Sequence, residues 1–183
     1  MKFLVLFRGI NVGGKNIVKM AALKKMLSGM GLQDVKTYIQ SGNAIFDSDG
    51  QPDIVKRNIE ENFKSSFGFE SRVILRTEEE VANIITMLPF SQKELEAAVA
   101  ANPAVEHLYF YFMDSALQAT DITALETGYD GPDRVLPGTK GLYLLCYESV
   151  RNSKLAVMLT RMDIPMTARN WKTVNKLYSM MKE

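Results

Sequence analysis

The chain changes its hydrophobic period every few residues, and each period names an element. Lys2-Phe3-Leu4-Val5-Leu6-Phe7 is apolar after its first residue and predicts a strand. Leu23, Met26, Leu27 and Met30 recur at three- and four-residue steps, which predicts a helix over 18–30 that Gly31 closes. Segments 35–40 and 44–46 read as two short strands around Ser41-Gly42-Asn43, a tight-turn signal. Pro52 opens a second helix that places Val55, Ile59, Phe63 and Phe67 on one face and stops at Gly68; a further strand covers 72–76. The order βαββαβ over 1–76 predicts an α+β, ferredoxin-like lobe with helices on one face of a mainly antiparallel sheet.

Two capping boxes follow, Thr77-Glu78-Glu79-Glu80 and Ser91-Gln92-Lys93-Glu94, each opening a helix that Pro89 or Pro103 ends. Segment 105–113 is a long aromatic strand. Next come a helix near 115–126, strands around 134–136 and 142–147, and helices over 152–162 and 167–182. Residues 77–183 are therefore expected to form a second α+β lobe packed on the first. No sequence repeat and no low-complexity linker mark the division.

Composition narrows the class. The 183 residues are 46% hydrophobic and 23% charged with net charge +1, as suits a soluble globular protein. One cysteine, Cys146, excludes an intramolecular disulfide; with neither a leader pattern nor a long apolar run, a cytoplasmic protein with no membrane partner is expected. One histidine, His107, excludes a His-rich metal centre, and Glu78, Glu79 and Glu80 are explained by helix N-terminal electrostatics, so no metal site is expected and no cofactor is assigned. His107 reads as a strand residue before a general base, and Cys146, within Leu142-Tyr143-Leu144-Leu145-Cys146-Tyr147, as a buried inert thiol.

The near-neutral total conceals a split. Residues 1–40 hold seven basic residues against one acid, residues 151–183 seven against two, and residues 41–150 eight against eighteen. Basic ends around an acidic middle fit either an anion-binding face or solvated helices. The sharpest local feature lies in the first basic segment: Arg8-Gly9-Ile10-Asn11-Val12-Gly13-Gly14-Lys15-Asn16 follows the first strand, and glycines beside cations can cradle an anion. Part of it fits G-x-x-x-x-G-K. Asn16, however, stands where the P-loop hydroxyl residue would bind magnesium, and an expected hairpin follows the first helix where a parallel βαβ unit is required.

Three separated segments carry a family resemblance: the 8–16 run, with Met20 and Leu23 after it; Thr37-Tyr38-Ile39-Gln40-Ser41-Gly42-Asn43 with Phe46; and Thr167-Ala168-Arg169-Asn170-Trp171 with Thr173. Together they resemble the bacterial proteins of the domain of unknown function 1697 family. The resemblance implies an α+β fold of two ferredoxin-related lobes and implies no activity.

The residues in these segments are hydrogen-bonding where a core would ask for apolar ones. Arg8, Asn11, Gly13, Gly14, Lys15, Asn16, Tyr38, Gln40, Ser41, Asn43, Arg169, Asn170 and Thr173 are accordingly the candidate ligand-binding set, expected to line one cleft. Each segment also has a plain structural explanation: Ser41-Gly42-Asn43 as a turn, Thr167 as an N-cap, Trp171 as core with Val174, Leu177, Tyr178 and Met181. Arg169, Lys172, Thr173 and Lys176 then form a basic stripe on the other face of the expected last helix. The favoured partner is a phosphorylated or otherwise anionic small molecule or nucleotide. A nucleic acid, with Tyr38 or Trp171 stacking a base, is the alternative, and a P-loop-like phosphotransferase a further one.

Overall fold

Burial of the first strand on both faces organises the structure, a computed structural model that describes residues 1–115 and 117–183. β1 (Lys2–Phe7) pairs antiparallel with β3 (Asn43–Asp47) on one side and β4 (Val73–Thr77) on the other, and β2 (Gln33–Tyr38) extends the sheet beyond β3. The order is β2-β3-β1-β4. Alternation sends Phe3, Val5 and Phe7 to one face, where they join Leu23 and Leu27 of α1 (Met20–Gly29) and Val55, Ile59 and Phe63 of α2 (Pro52–Phe67) in a single apolar cluster. Leu4 and Leu6 point the other way and are equally buried. An interior strand apolar on both sides is what the unbroken hydrophobic run requires.

α3 (Glu78–Thr86) follows β4 directly, its first turn held by Glu80 and Thr77 in the expected capping box, and Ser91 and Glu94 make the second box at α4 (Gln92–Ala101). β5 (Leu108–Met113), α5 (Ala119–Thr127), β6 (Arg134–Gly138), β7 (Gly141–Leu145), α6 (Lys154–Arg161) and β8 (Met166–Asn170) then build a second antiparallel sheet of order β6-β7-β5-β8, and α7 (Trp171–Lys182) ends the chain. Its cluster joins Tyr111, Met113, Leu142, Leu144 and Cys146 to Leu125 of α5 and Leu155 and Leu159 of α6. The chain divides into two units, Met1–Ala82 with Lys176–Glu183, and Asn83–Asn175.

The α+β class with two mainly antiparallel sheets is as the sequence predicts. Two details differ. The helix expected over 18–30 begins at Met20, because Val18 is pulled into the core and Lys19 stays extended. The helix expected over 167–182 is two elements: residues 166–170 pair with β5, from Met113↔Met166 to Tyr109↔Asn170, and helix starts only at Trp171. Arg169 and Asn170 are thus strand residues, and the expected basic stripe loses its first member. Thr167 is no N-cap; its hydroxyl accepts from Arg169. Ala116, within the helix expected near 115–126, lies outside the described residues; that helix runs over Ala119–Thr127.

A repeat absent from the letters is present in the architecture. Replacing β1, β2, β3 and β4 by β5, β6, β7 and β8 converts one sheet order into the other, and each fourth strand runs straight into a helix. The fourth residue of each such strand is a buried arginine, Arg76 and Arg169, whose Nη1 donates to the carbonyl of the residue before it at 2.7 Å.

Candidate functional site

Beyond β1 the glycine-rich segment folds into a small hairpin. Val12 bridges Lys15, the Lys15 N–H donates to the Val12 carbonyl at 3.0 Å, and the Asn11 N–H to the Asn16 carbonyl at 3.0 Å. Gly13 and Gly14, between the bridged pair, have φ of 58° and 75°, the left-handed pair that a two-residue type I′ turn demands. A Cβ at either glycine would meet nothing within 4 Å, so the turn is open to approach. Ile10 and Val18, on either side, are buried in the first cluster and anchor the hairpin.

Asn11 ties the hairpin to its surroundings. Its Nδ2 donates to the Val18 carbonyl at 3.0 Å and the Gln40 carbonyl at 2.8 Å, while its Oδ1 accepts from the Val18 N–H at 2.8 Å. One amide side chain thus joins the glycine-rich segment, the approach to α1 and the 39–42 turn. Asn16 donates to the Gly9 carbonyl, and both asparagines adopt positive φ, 54° and 52°, which asparagine tolerates better than most residues.

The turn is held from its own side. Asn43 is fully buried, and its Nδ2 donates to the Tyr38 carbonyl at 3.0 Å and the Ser41 hydroxyl at 2.9 Å. Gly42 donates no side chain for good reason: with φ +75°, a Cβ there would stand 2.7 Å from the Cδ1 of Ile10. Its carbonyl accepts from the Phe7 N–H at 2.8 Å. The first-unit candidates therefore come together, in two roles. Asn11 and Asn16 spend their amides on backbone groups and Asn43 on the Tyr38 carbonyl and the Ser41 hydroxyl, whereas Arg8, Lys15 and Gln40 are exposed; Tyr38 and Ser41 are half-buried.

Ser71 and Arg72, which sequence reasoning missed, complete this end of the sheet. The Arg8 N–H donates to the Arg72 carbonyl at 3.0 Å and the Ser71 hydroxyl to the Arg8 carbonyl at 2.8 Å, so two exposed arginines stand side by side just beyond the ends of neighbouring strands. Only pairing of β1 with β4 brings them side by side; nothing in their sequence separation announces it. Val12, Ile17 and Ile39 are 65%, 65% and 49% exposed beside these cations.

Arg169, Asn170 and Thr173 gather in the second unit. Arg169 is 8% exposed; its Nη1 donates to the Thr167 hydroxyl at 2.9 Å and the Ala168 carbonyl, and burial pulls its pKa down to about 10, which leaves it a cation at neutral pH. Asn170 Oδ1 accepts from the Thr173 N–H at 2.9 Å and so caps α7, and Thr173 is buried. Trp171 is half-buried, its ring 6.2 Å from that of Tyr143.

The remaining chemical candidates are held for structure. His107 sets Nδ1 at 2.7 Å from the Cys146 carbonyl and Nε2 at 2.8 Å from that of Asn102. Burial pushes the Cys146 thiol up to about 12, far from a nucleophile's range. The P-loop option fails on topology, since β1 has antiparallel neighbours on both sides and a hairpin, not a helix, carries Lys15. Among the described residues no helix is long and apolar enough to cross a membrane.

Residues 1–143 match the family model described as "Protein of unknown function (DUF1697)". The match includes the hairpin and the 39–42 turn and ends before Arg169. No curated protein matches the chain. Among solved structures it is similar to conserved bacterial protein SP0830 from Streptococcus pneumoniae, 26% identical over 98% of each chain with a TM-score of 0.74.

Proposed function

From the premise that the chain belongs to the family described as Protein of unknown function (DUF1697), a membership that brings no chemistry with it, we propose that the protein binds an anionic ligand at the hairpin end of its first unit. Arg8 and Lys15 are the groups that meet a phosphoryl or carboxylate, joined by Arg72 and Lys19. The observation that carries this reading is the division of labour in the site. Asparagine amides fix the loop from within, while Arg8, Lys15 and Lys19 are left exposed and, among the described residues, without an ion pair. A preorganised loop lowers the entropy lost when its cations engage a ligand. A guanidinium adds two-pronged geometry to the contact.

The ligand class is a phosphorylated small molecule or nucleotide, in a cytoplasmic setting that suits one buried thiol. The exposed Val12, Ile17 and Ile39 favour one second reading, a nucleic acid whose phosphates follow the cations while its bases or sugars cover the apolar side chains. We assign Arg169, Asn170 and Thr173 to holding β8 and α7.

Calorimetric titration of wild type, Arg8→Ala and Lys15→Ala with pyrophosphate, ATP and a single-stranded oligonucleotide tests the proposal. Both variants should bind the preferred ligand about tenfold more weakly or worse, as expected for loss of a charge-assisted contact. Binding to the oligonucleotide that falls steeply with salt selects the second reading. Equal affinity of all three proteins for every ligand removes the hairpin as the site. With no P-loop, magnesium-dependent ATP hydrolysis should stay at background; turnover abolished by Lys15→Ala would overturn that expectation.

A further inference from the structure

The structural repeat directs attention to the corresponding connection of the second unit. In the first unit the β1–α1 connection, residues 8–19, sends Ile10 and Val18 into the core between sheet and helices. The equivalent β5–α5 connection of the second unit spans only 114–118, and among its described residues Leu117 alone is half-buried. At that connection of the second unit a cavity of about 730 Å³ is lined by Ser115 and Gln118 and floored by Leu125, Met158, Met162 and Ile164. Three of these four are only half-buried, although they pack on the second cluster. The volume falls within the range of small-molecule sites, and methionines adapt their shape to what they contact.

Charge at the mouth narrows the ligand. Arg161, the last residue of α6, and Asp163 both line the cavity and are exposed, and among the described residues neither has an ion-pair partner. Asp121 also lines it, but its carboxylate accepts from the Gln118 N–H at the start of α5 and is committed to capping. One uncommitted cation and one uncommitted anion flank an apolar floor. A lone carboxylate would meet Arg161 at the expense of Asp163, and a lone ammonium the reverse.

We propose that this cavity binds a small zwitterion with an apolar body, of the class of the apolar α-amino acids, its carboxylate on Arg161, its ammonium on Asp163 and its side chain on Leu125, Met158, Met162 and Ile164. The cavity shares no lining residue with the basic hairpin, and the proposal stands whatever that hairpin binds.

Methionine-methyl NMR of the full chain, titrated with L-phenylalanine, 2-phenylethylamine and 3-phenylpropanoate, tests it. L-Phenylalanine should shift the Met158 and Met162 methyl signals saturably and bind about tenfold or more tighter than either half-charged analogue. Arg161→Ala should erase the preference for the amino acid over the amine. Ala124→Trp, at an exposed lining position on α5, fills the cavity without touching the core and should abolish the shifts while the thermal melt is retained. Absence of a saturable shift overturns the proposal. So does an analogue that binds as tightly as L-phenylalanine, or binding that survives Ala124→Trp.

Discussion

At the scale of single residues, the first unit's hairpin depends on amide side chains bonded to its own backbone. Asn11→Ala removes three hydrogen bonds at once and leaves the Val18 and Gln40 backbone groups to find water, so it should cost about 2 kcal/mol. Lys15→Ala, at an exposed charge, should leave stability nearly unchanged and alter binding alone. Urea unfolding separates the two; an Asn11→Ala midpoint equal to that of wild type would refute the tethering role. The glycines divide in the same way. Gly14→Ala has open space and meets only the left-handed backbone penalty, about 1 kcal/mol, whereas Gly42→Ala adds a clash with Ile10 and should cost about 2–4 kcal/mol. Equal losses would show that crowding at Ile10 is relieved without cost. Sequence identified these positions but not their duties. Asparagine serves equally as loop strut or ligand contact, and which one depends on Val18 and Gln40 arriving within 3 Å, a tertiary fact.

At the scale of elements, most of the fold is legible because the periods are clean, as in the α2 face of Val55, Ile59 and Phe63. The failure at 167–170 is instructive. The helical spacing of Trp171, Val174 and Leu177 is real, yet extending it backwards passes over the alternation of buried Thr167 and Arg169 with half-buried Met166, Ala168 and Asn170. That period of two belongs to a strand, and its polar letters hid it. The junction has its own test. Asn170 closes the strand and caps α7, so Asn170→Ala should cost about 1 kcal/mol, while Asn170→Gly should cost only a few tenths. Thermal unfolding followed by circular dichroism reads the difference; an Asn170→Ala protein as stable as wild type would mean that the buried Thr173 N–H finds another acceptor.

At the scale of the whole molecule, two units share one strand order while their sequences do not visibly repeat, because a core specifies volume and apolarity more than identity. Leu4 and Phe110 occupy equivalent register positions, opposite Arg76 and Arg169. The units nevertheless differ in ionisable cargo. Tyr109, Tyr111, Tyr129, Tyr143 and Cys146, all in the second unit, have pKa values raised by burial, with Tyr143 and Cys146 pushed up to about 12. These acids are neutral when folded, so unfolding lets them ionise at lower pH than folding does. Their contribution is fully present below the unfolded values, near 9 for the thiol and 10 for the phenol, and is lost as pH rises towards about 12. The melting temperature should therefore fall steadily across that window, with the second unit's signals lost first in amide exchange. Tyr143→Phe removes one such proton together with the hydrogen bond to the Ile84 carbonyl; it should lower stability at pH 7 yet flatten the alkaline decline, most of all when combined with Cys146→Ala. An alkaline slope unchanged in the double variant would place the loss elsewhere. Under the same logic Cys146 should resist iodoacetamide in the native protein at pH 8 and react only at the rate of unfolding.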